Sequence, residues 1–419
     1  MEQAIGRREF FLASPVIWIA GVLLFQFCFW LIAFPDSPTM IDGEPREYNP
    51  FAFLTLFLIF VWMVLGLVLG YFGKPKLVAR NYMGWRSARN IAIFLHAVSF
   101  LAMVIQLLPV LSNPASLAQI LEPAGINRQA SDLRETSFGV PTLVVLWIPA
   151  FAIYVAALNF RYSRQLLICT VILFVSVVFY GIMMMSRTHI MTAILILVAT
   201  NTIYGVRRFG IRKVLIIAIP TFLVIWGNSL IRTGVLYSST NDLPLFAPEV
   251  QYYLLQEFVE KYLAGEFNNS LIIATYSSSP SDNFLYGTMF ARFGDTYRPP
   301  RFLNTMNILG YYYWQFGFLG AQIFALLWGY MAGLVSKAGV IAAKRGINLY
   351  TLIYLVSFPG FLQISRINYF FLQYMIVPAA TFIVAFALMT AMSRNGGRRP
   401  AFLQNGMHRA EYKDRITRA

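Results

Sequence analysis

The sequence predicts an all-α polytopic membrane protein of about ten transmembrane helices, with one large extracytoplasmic loop between spans seven and eight. Three observations predict it. Hydrophobic residues make up 58% of the chain and charged residues 12%, and mean hydropathy is +0.62. Soluble domains carry roughly 45–50% apolar and about 25% charged residues, so a water-soluble multidomain chain is excluded, and a disordered one with it. The apolar residues fall in unbroken runs of about 20, where a membrane barrel would show alternating strands of about 10. The basic residues gather in every second connection.

The runs lie at about 14–34, 51–73, 91–111, 139–159, 166–185, 189–206, 213–230, 308–335, 349–365 and 369–392. Each is close to the length that crosses a hydrocarbon core of roughly 30 Å at about 1.5 Å per residue. The first is too long for the apolar part of a signal peptide and has no small-residue cleavage site after it, so it reads as a membrane helix. The ninth contains Pro359-Gly360 and reads as broken or re-entrant. Cys28 and Cys169 sit inside apolar runs as small fillers, with neither a disulfide framework nor metal-type spacing.

Orientation follows from lysine and arginine. With the N-terminus in the cytoplasm, 23 of the 33 basic residues lie inside and 10 outside, against 4 of the 18 acidic residues inside and 14 outside. That is a strong positive-inside bias, so both termini are expected in the cytoplasm. The net charge of +15 is thereby explained by topology, and nucleic acid is not an expected partner. The chain divides into seven N-terminal spans (1–230), a large outer loop (231–307), three C-terminal spans (308–392) and a basic cytoplasmic tail (393–419).

The loop is not hydrophilic filler, and loops of this length are usually functional. Residues 249–263 place Val250, Tyr253, Leu254, Phe258 and Tyr262 at helical spacing, which predicts an amphipathic helix lying on the membrane. Residues 276–283 are turn chemistry.

The informative residues are the arginines on the outer side. Arg187, Arg232, Arg292, Arg298, Arg301 and Arg366 all lie near span ends, and Arg187 and Arg366 sit in connections too tight to float in solvent. One such arginine snorkels to head-group phosphates as readily as it binds a substrate. Six arginines and a single outer lysine, Lys261, favour a ligand with phosphate oxygens, because guanidinium is a rigid, always-charged fork. A lipid-linked pyrophosphate has that chemistry. The outer carboxylates, Asp242, Glu249, Glu257, Glu260, Glu266, Asp282 and Asp295, are scattered, so neither a metal nor another cofactor is expected.

Glycosyl transfer needs a base for an acceptor hydroxyl. Asp295, flanked by Arg292, Arg298 and Arg301, is one candidate, with a salt-bridge role as the alternative. His189, two residues after Arg187, is the reserve candidate, with helix-end packing as its alternative. His96 lies within a span and reads as a satisfied core histidine. Tyr312, Tyr313 and Trp314 open span eight, where they form either an interfacial aromatic belt or a platform for stacking sugars.

The strip FLYGTMFARF, then RPPRF, then YYYWQFGFLGAQIFALLWGYMAGL resembles the C-terminal half of bacterial oligosaccharide repeat-unit polymerases, the O-antigen polymerase family. The matching positions are Gly287, Pro300, Arg301, Phe316, Gly317, Gly320 and Gly329, with Ser-Arg-Thr at 186–188 and Ser-Arg-Ile at 365–367. The resemblance covers about 180–370. The acid that the family often carries before its Phe-Gly motif is replaced here by Tyr312, Tyr313 and Trp314.

The resemblance implies a fold like that of membrane glycosyltransferases using lipid-linked donors. It also implies polymerisation of undecaprenyl-pyrophosphate-linked repeat units at the periplasmic face of the bacterial inner membrane, with membrane lipids and a chain-length regulator protein as partners. The rival readings are an O-antigen ligase, a peptidoglycan-type glycosyltransferase of similar layout, a transporter of lipid-linked sugars and a structural scaffold. A transporter would place ionisable residues at mid-membrane, and these spans carry almost none.

Overall fold

The computed structural model describes residues 14–33, 49–73, 85–113, 143–160, 163–184, 187–204, 229–259, 264–276, 307–343, 346–363 and 379–384, with single positions between them. The described elements are helices: α1 Pro15–Ala33, α2 Pro50–Phe72, α3 Trp85–Leu111, α4 Trp147–Phe160, α5 Arg164–Met183, α6 Arg187–Tyr204, α7 Val235–Thr240, α8 Pro248–Phe258, α9 Gly265–Tyr276, α10 Ile308–Ala343 and α11 Leu349–Gln363. A π-helical turn, Leu230–Gly234, leads into α7.

Five helices, α1, α2, α3, α5 and α10, are long and apolar enough to cross a membrane, and α4, α6 and α11 are shorter apolar helices. Their outward faces carry Phe25, Ile32, Phe57, Phe94, Leu101, Val175, Leu319 and Ile323, each more than half exposed. In water so large an apolar surface would drive aggregation, whereas lipid solvates it, so the chain is a multi-pass membrane protein. The runs expected at 213–230 and 369–392 lie largely outside the described residues. Helix α11 continues through Pro359 to Gln363, and its 15 residues fall short of a full span.

The largest interface joins α2 and α10, which run parallel. Both carry glycines four apart: Gly66 and Gly70 on α2, Gly329 and Gly333 on α10. A Cβ on Gly66 would strike the Leu326 carbonyl oxygen, and one on Gly70 that of Tyr330. The reciprocal obstacles for Gly329 and Gly333 are the carbonyls of Met63 and Leu67. In lipid, helices associate through close van der Waals contact, and small residues let the two backbones meet. The seam is closed at one end by Lys337, whose Nζ donates to the Gly73 carbonyl at 2.7 Å and to that of Phe72 at 3.4 Å. A cation there complements the unpaired carbonyls at the end of α2. At the other end Asn49 caps α2, its side chain accepting from Phe51 N at 2.9 Å ahead of Pro50.

The consecutive pairs α3–α4 and α10–α11 pack antiparallel. Ser99 of α3 donates to the Val144 carbonyl at 2.7 Å, and His96 meets the Tyr154 hydroxyl of α4 at 3.3 Å. Thr351 at the start of α11 donates to Gly339 of α10 at 3.1 Å. Tyr204, closing α6, lies against Thr351. The last turn of α6 is therefore at the Lys337 end of the bundle, and its first turn, with His189, is at the Asn307 end.

Part of the segment expected to form an outer loop is packed into the bundle. Helix α9 lies against α1, α2 and α10, and residues 264–274 are buried. It was illegible as a core element because it has 12 residues and mixes polar with apolar side chains. The expected amphipathic helix forms as α8 but stops at Phe258. Val250 and Leu254 are buried as expected, and Tyr253 stacks on Tyr237 with ring centroids 4.0 Å apart.

Helix α10 outruns the expected span by eight residues and kinks at Gly317, whose φ of 67° and ψ of −170° are open to glycine almost alone. The segment after the kink, Phe318–Ala343, is about 39 Å long and crosses a bilayer by itself. The segment before it turns onto α9.

Candidate functional site

The Asn307 end holds two buried polar networks. The first is built on α9. Trp30 Nε1 of α1 donates to Asn268 Oδ1 at 3.2 Å. Ser270 Oγ donates to Asn307 Oδ1 at 2.7 Å and accepts from Asn307 N at 3.1 Å. The same Oδ1 faces Leu309 N at 3.2 Å and Gly310 N at 3.3 Å, so Asn307 is the N-cap of α10. Asn307 N also reaches the Glu266 carbonyl oxygen at 3.3 Å. Gly310 is required at the contact, because a Cβ there would meet the Ser270 side chain.

This layer is fully enclosed: Glu266 is 1% exposed, and Asn268, Ser270 and Asn307 are 0% exposed. Glu266 lies in the first turn of α9, where the helix dipole favours negative charge. The Nδ2 of Asn307 and the side-chain amide of Gln315 make no hydrogen bond among the described residues.

Below the layer lies an apolar cavity of about 110 Å³, lined by residues of α1, α2, α9 and α10 that include Leu23, Phe27, Phe53, Phe57, Phe267 and Leu309. Phe267 is its hub, with ring centroids 5.5 Å from Phe27 and 5.4 Å from Trp30. Leu24 and Phe57 belong to both the cavity wall and the lipid-facing surface. Successive residues of α9 thus face different media: Phe267 the apolar cavity and Asn268 the polar layer.

The second network surrounds His189, which is 2% exposed. Trp147 Nε1 donates to His189 Nδ1 at 3.2 Å, and the Tyr180 ring meets the imidazole edge to face at 5.0 Å. Tyr180 in turn donates to Gln106 Oε1 at 2.6 Å. An indole only donates, so Nδ1 holds the lone pair and the hydrogen of the neutral ring sits on Nε2. His189 therefore carries its proton on Nε2, and its basic Nδ1 lone pair is already engaged by Trp147.

Of the other expected site residues, Arg187 opens α6 and Arg232 lies in the π-helical turn, both without described side chains. Arg292, Asp295, Arg298, Arg301 and Arg366 lie outside the described residues. Tyr312 and Trp314 are buried in the first turns of α10, with 7% and 2% exposure, and Tyr313 is half-buried. Glu266 stood in the sequence as one of seven scattered acids. Its only local signal is the polar run Glu-Phe-Asn-Asn-Ser that precedes Leu-Ile-Ile. Among the described residues no group of three histidine, cysteine or carboxylate side chains is placed to hold a metal ion. No family model, curated protein or solved structure matches this chain.

Proposed function

We propose that this protein is a polyprenyl-diphosphate-dependent glycosyltransferase that polymerises lipid-linked oligosaccharide repeat units at the extracytoplasmic face of the bacterial cytoplasmic membrane. One observation carries the reading: a buried layer of amides and a carboxylate lies directly over an apolar cavity whose rim faces lipid. That pairing suits an amphiphile whose sugar end is polar and whose anchor is hydrocarbon. The motif resemblance in the C-terminal half and the arginines that the sequence sets near the expected outer span ends support it.

In this reading Arg187, Arg232, Arg301 and Arg366, with Arg292 and Arg298, bind the pyrophosphate. Their charge stabilises the departing lipid pyrophosphate, which is already a good leaving group. The remaining barrier is lowered by holding the acceptor hydroxyl against the donor's anomeric carbon.

The test is extension of a lipid-pyrophosphate-linked repeat unit by the purified protein in lipid nanodiscs. Polymer is expected, with activity kept in excess EDTA. Arg187→Ala and Arg366→Ala should remove it while leaving the protein folded, and Lys should restore little. Full activity in both alanine variants would remove the diphosphate role. Failure of the wild type to extend any of a panel of lipid-linked repeat units would remove the reading.

A further inference from the structure

We infer that α8 lies flat in the boundary between lipid chains and water, with Pro248, Leu255 and Phe258 on its lipid side and Glu249, Gln256 and Glu257 on its water side. The partner of this surface is the bilayer itself, and the inference stands apart from the glycosyl-transfer reading.

Two contacts on opposite sides of α8 fix how it is held. Trp226 Nε1 donates to Gln251 Oε1 at 3.1 Å. Tyr253 stacks on Tyr237 with ring centroids 4.0 Å apart. Trp226 belongs to the run expected at 213–230, where Ile219 and Leu223 are each more than half exposed, as lipid-facing residues are. Trp226, Gly227 and Ser229 are helical, and the π-helical turn and α7 carry the helix on to Thr240. Tyr237 therefore lies roughly 15 Å beyond Trp226, away from the lipid-facing residues, at about 1.5 Å per residue. Gln251 and Tyr253 are only two residues apart on α8, so two helices lying side by side could not bring them to partners so far apart. Helix α8 crosses the Trp226–Thr240 helix, and its axis lies along the bilayer surface.

The side chains then sort by level. Positions three, four and seven apart share one side of a helix. Gln251, which reaches toward the lipid-facing part of its neighbour, shares its side with Pro248, Leu255 and Phe258. Tyr253, which reaches the other way, shares its side with Glu249, Gln256 and Glu257. Leu255 is 50% exposed, and Pro248, Glu249 and Gln256 are exposed as well. Gln251 Nε2 also donates to the Leu245 carbonyl at 3.3 Å, which ties the turn bearing the exposed Phe246 to the lipid side.

The stripe that the sequence pattern sets against the membrane is spent elsewhere. Val250 and Leu254 are buried, and a Cβ on Gly234 would lie 3.3 Å from Leu254 Cδ1. A second apolar edge, with Leu255 at its centre, takes that place. No lysine or arginine occurs between Val235 and Val259, while Asp242, Glu249 and Glu257 do. Attraction to anionic head groups therefore plays no part, and burial of the apolar edge holds the helix at the surface.

The test is spin labelling of the full chain in phosphatidylcholine nanodiscs, in a background with Cys28 and Cys169 replaced. Nitroxides at Leu255→Cys and Pro248→Cys should collide with molecular oxygen in preference to a water-soluble nickel chelate, and those at Glu249→Cys and Gln256→Cys should do the reverse. The oxygen-to-nickel ratio should be about fivefold higher at Leu255→Cys than at Gln256→Cys, as for an apolar face sunk about 5–10 Å into the boundary. Equal ratios at the four sites would put α8 in water and overturn the inference. Low collision with both reagents at Leu255→Cys would mean that protein covers this edge, and would overturn it too. The unfolding midpoint of each labelled chain shows that the fold is kept. If the Pro248 variant loses it, the pair Leu255 and Gln256 decides, since both are exposed neighbours on one turn.

Discussion

Gly333 of α10 lies so close to Leu67 of α2 that a Cβ on the glycine would collide with the leucine's carbonyl oxygen. The same holds between Gly66 and Leu326 one turn away. Two backbones in contact cannot admit a methyl group without parting. Gly66→Ala and Gly333→Ala should each destabilise the protein by about 1–3 kcal/mol. Gly21→Ala is the control, because nothing lies within 4 Å of a Cβ there. Thermal unfolding in detergent measures all three, and equal midpoints for Gly66→Ala and Gly21→Ala would contradict the seam.

The seam shows what the sequence conceals and what it reveals. Hydropathy finds α2 and α10 separately, since apolar length is a property of each helix alone. Their pairing is a long-range fact, although the glycine spacing on both helices is visible once one looks for it. Gly317 stood in the sequence as part of the Phe-Gly motif, but the kink it makes inside α10 was not legible there. Glu266 was not legible, because burial of a short mixed helix depends on three partners far away in the chain. His189 was legible as a residue of interest. Its tautomer depends on Trp147, 42 residues earlier, which no local pattern connects to it.

Gly317 should tolerate no side chain. Its φ of 67° with an extended ψ puts any Cβ against its own backbone. Gly317→Ala should cost about 1–3 kcal/mol. It should also disturb the segment Ile308–Phe316, whose direction the kink sets. Unfolding midpoints give the first effect. Loss of protection from hydrogen exchange at 308–316, with the rest of α10 unchanged, gives the second. Uniform protection along α10 in the variant would mean that the kink is not what positions this segment.

Trp147 should fix the state of His189. In ¹⁵N-histidine spectra of the wild type, Nδ1 should resonate as an unprotonated ring nitrogen and Nε2 as a protonated one. Trp147→Phe removes the donor, so the two tautomers should mix, at a stability cost of about 1 kcal/mol for the lost hydrogen bond. A wild-type spectrum with the proton on Nδ1 would reverse the donor assignment and return His189 to the list of bases.

The side of the membrane decides whether the polar layer can meet an exported sugar at all. Lys337 closes the α2–α10 seam at one end and Asn307 caps α10 at the other, so these two residues lie on opposite sides of the bundle. In the sequence Lys74 and Lys76 follow α2 and Lys344 and Arg345 follow α10, and the positive-inside rule predicts that this end is cytoplasmic. On that prediction the Asn307 end, with Asn268 and His189, faces outward, toward the same compartment as the start of α6 at Arg187. Cys28 and Cys169 are both free, so labelling needs a background in which they are replaced. In that background Pro280→Cys should react with a membrane-impermeant maleimide applied to intact cells, and Asn405→Cys should react only after the membrane is opened. The reverse pattern would put the polar layer in the cytoplasm, where the diphosphate binding proposed for the arginines would have no exported lipid-linked chain to act on.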